Sequence, residues 1–277
     1  MRSNVTVAWW RTFWSGGLAL LLWAVMGTVT RASDEEAGWI PLFDGRSLDG
    51  WVAKITHHPL GENYRDTFRV EDGILKVSYD RYDEFGGRFG HLYTVNAYSH
   101  YRLRLEYRFV GDALPDTPTW IKLNSGVMFH TQSPLSLRLD QPFPVSLEGQ
   151  FLATGTTAGR QTGNACTPGT HLTLNGKQTD AHIIDSSSRL FPPEEWVQFE
   201  LEVHGHALII HRVNGEEVLR YTHPVLDEKD VDGKRLLDAG VTREIGAGHI
   251  ALQAEGQPVW FRNIRIQPLP AQKSDAK

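Results

Sequence analysis

The sequence predicts an all-β protein, an antiparallel β-sandwich of the jelly-roll type. Three observations support this prediction. Apolar and charged residues alternate in several strand-length segments, an Asn-Gly pair joins two of these segments, and residues 33–277 sustain no apolar 3.6-residue period for three turns. Many short strands without intervening helices pack most economically as two antiparallel sheets.

The alternation is clearest in residues 101–109, where aromatic and aliphatic residues alternate with charged ones. A period of two gives one buried and one solvated face. The Asn214-Gly215 pair lies between two such segments and is the strongest short signal for a hairpin. The other predicted strands are 67–70, 74–78, 90–94, 125–131, 145–152, 196–203, 207–213, 217–221, 249–254 and 259–267.

The N-terminal segment has the order of a signal peptide. Arg2 and Arg11 precede an uncharged stretch from Thr12 to Thr30, and small residues and then acidic ones follow. We therefore expect a secreted or periplasmic protein. The alternative is an uncleaved membrane anchor, because the uncharged stretch approaches the roughly 20 residues that span a bilayer. The predicted organisation is a signal peptide (1–32), a short acidic linker (33–38), the sandwich domain (39–269) and a disordered tail (270–277).

Composition excludes some classes of partner. Removing residues 1–32 takes away three arginines and no acidic residue, so the formal charge moves from −5 to −8. An acidic domain argues against binding to a phosphate backbone, so we expect no nucleic-acid partner. Cys166 is the only cysteine, and an intrachain disulfide is therefore impossible. After signal cleavage we expect no stable membrane association.

The segment between Leu152 and Trp196 is polar and rich in glycine and reads as one long loop. Loops this long inside a compact domain are usually functional or disordered. Trp196 and Trp260, which open or lie within alternating segments, are predicted to be core residues. Arg262 is predicted to form a structural ion pair.

Two segments resemble the signatures of the 3-keto-disaccharide hydrolase family: residues 39–51 (WIPLFDGRSLDGW) and residues 248–266 (GHIALQAEGQPVWFRNIRI). Residues 70–75, 124–129, 148–150 and 196–200 follow the family's order between them. The resemblance covers residues 39–269. It implies a concanavalin A-like, laminin G-like sandwich, an extracytoplasmic location, and action on glycosides that a partner dehydrogenase has oxidised at C3. The sequence departs from the family at Glu255, where relatives often have His, and at His130, where many have Arg.

Glu148 and Gln150 are two residues apart in a predicted strand, so both side chains leave the same face of the sheet. A carboxylate and an amide on a concave face suit sugar hydroxyls; the alternative is a solvated outer face. Gln253 and Glu255 have the same spacing. If the predicted strands 145–152 and 249–254 share a sheet, this second pair lies close to Glu148 and Gln150. The alternative is that Gln253 and Glu255 are exposed ends of a hairpin.

Three further residues complete the predicted site. By alternation, His130 shares its side with Gly126 and Met128 and faces the cleft, where a neutral imidazole can act as a base; the alternative is a packed or surface histidine. Trp120, in a Pro-rich loop, is the best candidate for an exposed ring on which a sugar stacks. Arg160 is predicted to contact substrate from the long loop.

The chemistry that the resemblance implies requires three groups: a base near C2, a stabiliser at the C3 oxygen, and an acid at the leaving oxygen. We expect Glu148 or His130 as the base, Gln150 or Gln253 as a hydroxyl or oxyanion donor, and Glu255 as the acid. Two alternatives stay open: a noncatalytic lectin-like module, and a two-carboxylate glycosidase acting on unoxidised glycosides.

No cofactor is firmly implied. A divalent metal is an alternative because His171, His182, Asp180 and Asp185 lie close together in sequence, although their spacing matches no compact zinc motif. The expected partners are an oligosaccharide or glycoside substrate and an upstream sugar 3-dehydrogenase.

Overall fold

The computed structural model describes residues 37–271. The predicted signal peptide and most of the predicted tail therefore lie outside the described residues. Within residues 37–271, strands dominate and form two antiparallel sheets, which confirms the predicted all-β, concanavalin A-like sandwich. None of the helices in this range is long and apolar enough to cross a membrane.

The strands follow one another along the chain, and one α-helix lies between the fifteenth and the sixteenth strand. They are β1 (Ile40–Pro41), β2 (Trp51–Ile55), β3 (Phe68–Glu71), β4 (Ile74–Val77), β5 (Gly90–Tyr98), β6 (His100–Phe109), β7 (Asn124–Thr131), β8 (Leu147–Leu152), β9 (Ala165–Cys166), β10 (Thr170–Leu174), β11 (Lys177–Thr179), β12 (Ile183–Ile184), β13 (Val197–His204), β14 (Leu208–Val213), β15 (Glu216–Leu226), α1 (Val231–Asp238), β16 (Gly248–Ala254) and β17 (Val259–Pro268).

The strands form a ten-stranded and a seven-stranded sheet. The larger has the order β11-β10-β15-β14-β13-β6-β17-β4-β3, and β1 pairs with β17. The smaller has the order β12-β9-β8-β7-β16-β5-β2. Consecutive strands of the chain often belong to different sheets, so the chain crosses repeatedly between the two layers, as in other sandwiches.

The core lies between the sheets. Along β6 every second residue is buried, as the alternation predicted. Tyr107 of this strand stacks on Phe151 of β8, in the other sheet, with ring centroids 4.1 Å apart. Phe199 of β13 meets the edge of the same Phe151 ring at 5.1 Å. Close aromatic packing of this kind fixes how the two layers face each other.

The two faces of β8 have different neighbours. Gly149 lies against the core, where a Cβ would come within 2.6 Å of Phe199. Leu147 and Phe151 share that face and are fully buried in the core. By alternation, Glu148 and Gln150 leave the opposite face of the seven-stranded sheet. This face, turned away from the core, carries the candidate site.

The predicted hairpin is confirmed. β14 and β15 pair through Val213 and Glu216, with Asn214 and Gly215 as the turn between them. Both turn residues have positive φ, 50° and 84°, which is the conformation of a type I′ turn.

The long-loop prediction for residues 152–196 was wrong in part, because four short strands lie within it. β9 and β12 extend the seven-stranded sheet past β8, and β10 and β11 form an edge hairpin of the ten-stranded sheet. These strands are two to five residues long, so most of them are too short to show apolar alternation, and β11 consists of the polar residues Lys177-Gln178-Thr179. Residues 153–164 remain irregular.

The helix α1 was not predicted. It has only eight residues, too few to show a helical period over three turns. Asp230 caps its N-terminus by accepting hydrogen bonds from the backbone amides of Asp232 and Gly233, at 2.9 and 2.8 Å.

The outer face of the ten-stranded sheet carries two half-buried tryptophans. Trp196 and Trp260 were predicted to be core, and this was wrong: both pack against the guanidinium of Arg108, with its carbon 4.6 Å from each ring. These two rings point away from the core and are covered by the Arg108 guanidinium, not by the other sheet. Arg262 forms the predicted ion pair, 2.6 Å from Glu106.

Candidate active site

A cavity of about 230 Å³ opens on the face of the seven-stranded sheet that is turned away from the core. It contains six of the seven site residues predicted from sequence; His130 lies elsewhere. The lining residues are Trp120, Asn124, Met128, Phe143, Glu148, Gln150, Arg160, Cys166, Pro168, His182, Ile183, Gln253 and Glu255. Polar groups converging in a partly apolar cavity are typical of a small-molecule site.

Glu148 lies in the middle of the sheet, between Met128 of β7 and Cys166 of β9. Only 5% of the residue is exposed. Its carboxyl occupies space over Gly126, where a Cβ would lie 2.7 Å from Glu148 Cγ. The glycine at this position therefore makes room for the carboxylate.

Gln150 is held by an amide network. Its Nε2 donates to Asn124 Oδ1 at 3.1 Å, and its Oε1 accepts from Asn164 Nδ2 at 3.5 Å. Asn164 is itself fixed, because its Oδ1 accepts from the backbone amide of Ser186 at 2.8 Å. A side chain positioned from both ends can present its remaining hydrogen-bonding capacity to a ligand in one orientation.

Gln253 and Glu255 converge with the first pair because β16 lies beside β7 in the same sheet. They are 1% and 2% exposed, so the alternative of two exposed hairpin ends was wrong. Gln253 Oε1 and Glu255 Oε2 are buried and have no hydrogen-bond partner within residues 37–271. Buried polar atoms are rarely unpaired in proteins, and these two line a cavity that a polar ligand can fill.

Burial strongly raises the pKa values of the two acids of this site. It raises the pKa of the Glu148 carboxyl to about 8, while the Cys166 thiol and the charge of Arg160 oppose the shift. Burial raises the pKa of Glu255 well above its ordinary value, and the neighbouring Glu148 carboxylate raises it further. Like charges in one site cannot easily ionise together, so burial and mutual repulsion keep at least one of the two carboxyls protonated near neutral pH.

Arg160 reaches the cavity from a loop, and Trp120 reaches it from the short 3-10 helix Thr119–Ile121. Arg160, in the irregular segment 153–164, is half-buried, and its Nε has no partner among the residues that the structure describes. Trp120 is 54% exposed and stacks against Phe89, with ring centroids 6.5 Å apart. The exposed ring predicted from sequence therefore lines the same cavity as the cation and the two acids.

The prediction that His130 faces the cleft was wrong. The pairing of β7 with β16 shifts between Met128 and Thr131, which places two β7 residues opposite Ile250. This bulge gives His130 a φ of 49° and breaks the alternation. Its Nε2 donates to the Gly205 carbonyl at 3.0 Å, and burial lowers its pKa to about 4. It borders a different cavity, which shares no lining residue with the first.

Sequence reasoning missed several residues of the site. Asn124 and Cys166 line the cavity without any local signal, because only strand pairing brings them beside Glu148 and Gln150. His182 lines it too, and its pKa is lowered by desolvation and by the charge of Arg160. Its sequence neighbours Asp180 and Asp185 had suggested a metal site.

That metal alternative has no support in the geometry. Within the described part of the chain, no group of three or more His, Cys, Asp or Glu side chains is placed to hold a metal ion. Of the four residues considered, His171 instead lies 3.3 Å from Asp227, and His182 lines the cavity.

The arrangement suits proton transfer at a polar, uncharged ligand. Two buried acids that oppose each other's ionisation can supply a base and a proton donor in the same site. The amides can bind hydroxyls, and the cation can stabilise developing negative charge in a partly desolvated cavity.

Comparison with known proteins gives a family match over nearly all of the described chain. Residues 38–267 match the model of the 3-keto-alpha-glucoside-1,2-lyase-like domain. A 3-keto-disaccharide hydrolase from Bacteroides thetaiotaomicron is 24% identical over 254 residues, which cover 84% of this chain and 79% of that protein.

Two solved structures share the fold. Both are candidate glycosyl hydrolases from Parabacteroides distasonis and 18% identical in sequence. The first has a TM-score of 0.52 and is covered to 97%, with 86% of this chain aligned. The second has a TM-score of 0.50 and is covered to 99%, with 83% of this chain aligned. At this identity the similarity establishes the fold alone.

Proposed function

Because the chain belongs to the 3-keto-alpha-glucoside-1,2-lyase-like domain family, we propose that it cleaves glycosides whose sugar carries a ketone at C3. The observation that carries the proposal is the pair of buried acids in one cavity, Glu148 and Glu255, whose pKa values are both raised. Family membership supports a carbohydrate-active function, and the acids support proton abstraction from carbon.

A C3 ketone changes what a sugar can do. It acidifies the proton on C2, so a base of moderate strength can remove it. The electrons then form a C1–C2 double bond and the C1 substituent departs. Water adds to C1 of the unsaturated ketone and a proton returns to C2, which gives the free 3-keto-sugar.

Glu148 is the proposed base at C2. A carboxylate whose pKa is raised by burial is a stronger base than one in water, and a pKa close to the working pH is the best compromise for proton transfer. Because Gly126 has no side chain, it leaves space for this carboxyl, which a Cβ at position 126 would occupy.

Glu255, expected from the sequence to be the acid at the leaving oxygen, is instead proposed to stay protonated and donate a hydrogen bond to the C3 oxygen. A carboxyl kept neutral by burial can stabilise an enolate oxygen in this way, and burial together with the neighbouring Glu148 carboxylate raises the pKa of Glu255 well above its ordinary value. Its Oε2 has no partner within residues 37–271, so its hydrogen-bonding capacity is open to the ligand. The charge of Arg160, which lowers the pKa of both acids, can stabilise negative charge that develops in the cavity.

Gln150 and Gln253 are the proposed hydroxyl ligands, and Trp120 is the surface on which the sugar ring stacks. The amide network behind Gln150 and the unpaired Oε1 of Gln253 support these roles. The substrate must be supplied by an oxidation of the C3 hydroxyl, so a sugar 3-dehydrogenase acts before this protein. Secretion or export to the periplasm, expected from residues 1–32, is part of the same proposal.

A paired assay tests this function. Purified protein is mixed with a 3-keto-disaccharide and, separately, with the unoxidised disaccharide, and free sugars are followed by chromatography. We expect release of the 3-keto-sugar from the first substrate only. Turnover of the unoxidised disaccharide would instead indicate a two-carboxylate glycosidase, and binding without turnover of either would indicate a lectin-like module.

A further inference from the structure

A second cavity adjoins the first. It has a volume of about 320 Å³ and shares three lining residues with the proposed active-site cavity: Phe143, Pro168 and His182. A ligand too large for one cavity can therefore extend into the other past these side chains.

The two cavities differ in depth and lining. The first places the acids Glu148 and Glu255 against the sheet, where both are almost completely buried. The second is bordered by Asp180, Asp227 and Asp230, whose carboxylates accept hydrogen bonds from hydroxyl groups. If the oxidised sugar occupies the first cavity, the group attached to its C1 has the second available to it, and the bond that breaks lies near the junction.

Of the three shared residues, only His182 can exchange a proton. It lies in the turn that leads into β12, and its side chain is exposed. Its backbone is held, because the amide of Thr167 donates to its carbonyl oxygen at 3.0 Å and the Thr167 hydroxyl donates to the same oxygen at 3.2 Å. The backbone of His182 is thus anchored at the junction, and its exposed side chain is accessible to a ligand.

We propose that His182 gives a proton to the glycosidic oxygen as it leaves C1, and that the second cavity holds the leaving group, a neutral sugar or similar polyol. This assignment rests on the proposed function. It separates the two acid roles in the reaction: Glu255 acts at the C3 oxygen and His182 acts at the leaving oxygen.

The proton balance closes over both steps. In the elimination, Glu148 takes the C2 proton, the C1–O bond breaks with its electron pair on oxygen, and the His182 imidazolium protonates that oxygen to give the free alcohol. In the hydration, neutral His182 takes a proton from the water that attacks C1, and Glu148, whose proton exchanges with solvent once the alcohol has left, protonates C2. Each residue ends in the state in which it began.

The test compares two 3-keto-glucosides that differ only in their leaving group. One carries 4-nitrophenol, which departs without protonation, and the other carries glucose, which does not. We expect His182→Gln to slow glucose release by roughly 100-fold or more, the usual effect of losing a general acid. First-turnover release of nitrophenol should stay near the wild-type rate, and this also shows that the variant is folded.

A matched control is His206→Gln. That histidine lies 3.1 Å from Glu244 and lines neither of the two cavities. It should leave both rates unchanged. Equal slowing of both leaving groups in His182→Gln, or full glucose release, would overturn the assignment while leaving the proposed function in place. Wild-type protein that releases neither leaving group would contradict the proposed function and the assignment together.

Discussion

The carboxyl of Glu148 lies over the bare backbone of Gly126. A Cβ at position 126 would come within 2.7 Å of Glu148 Cγ and closer still to its Oε1. The two residues are on neighbouring strands, since Gly126 pairs with Gln150 and Met128 pairs with Glu148. The position of the proposed base therefore depends on the absence of a side chain next to it.

Gly126→Ala should displace this carboxyl. A shift of about 1 Å in a catalytic group can cost roughly 100-fold in rate, so we expect a loss of that order in kcat on a 3-keto-disaccharide. The matched control is Gly149→Ala, which acts from the core side by crowding Phe199. Gly149→Ala should lower the melting temperature but reduce kcat less than Gly126→Ala does. The reverse ranking of the two variants in kcat would contradict the role given to Glu148.

For the 4-nitrophenyl 3-keto-glucoside, whose leaving group needs no proton from His182, the pH profile of kcat/KM should follow the ionisation of Glu148. Its pKa is raised to about 8 and the base works only when ionised, so activity should rise with pH and level off above that value. The charge of Arg160 lowers this pKa, and Arg160→Met should therefore move the midpoint to higher pH. Arg189→Met, which removes an exposed arginine outside the cavity, should leave it in place. A midpoint near 4 to 5 would indicate a solvated carboxylate.

The same shift should appear in stability. A carboxyl with a pKa of about 8 when folded, and its ordinary value of 4.5 when unfolded, stabilises the fold fully below pH 4.5. That contribution is lost as pH rises toward 8. Glu148→Gln removes the titrating group. The free energy of unfolding of the variant, relative to wild type, should therefore increase by at least about 1 kcal/mol from pH 5 to pH 8. Denaturant unfolding at both values measures this.

A control for the stability comparison is Glu217→Gln, whose exposed carboxyl pairs with Arg220 and has a lowered pKa. The free energy of unfolding of this variant, relative to wild type, should not increase between pH 5 and pH 8. A pH-independent difference for Glu148→Gln would show that this carboxyl ionises normally in the folded protein.

Trp120→Ala should weaken substrate binding with little effect on the chemical step. The ring is at the cavity mouth and 54% exposed, so its removal takes away a stacking surface without opening the core. We expect KM to rise roughly tenfold with kcat nearly unchanged, as for about 1.4 kcal/mol of lost binding. Trp196→Ala, on the outer face of the other sheet, is the control. A fall in kcat alone would contradict a stacking role.

The fold and much of the site could be predicted because they depend on local alternation. The period of two along β6 and β8 gave the sandwich and put Glu148 and Gln150 on one face. The same rule failed at His130, where one extra residue in β7 turned the side chain away. Nothing in the residues around His130 shows the bulge, because it exists only relative to β16.

The missed residues share a different cause. His182 enters the site through the short strand β12, which pairs with β9 and carries no alternation of its own. Cys166 becomes a neighbour of Glu148 only through that same added edge. Contacts set by long-range pairing of two-residue strands leave no period in the sequence, so structure is needed to find them.

The central claim is that Glu148 removes the C2 proton of a 3-keto-sugar, and isotope exchange tests it directly. The protein converts a 3-keto-disaccharide in D₂O, and the released keto-sugar is analysed by mass spectrometry against keto-sugar incubated without protein. We expect one deuterium at C2 in the wild-type product and loss of product formation with Glu148→Gln. Product formed by wild-type protein without deuterium at C2, or at full rate by Glu148→Gln, would contradict the claim.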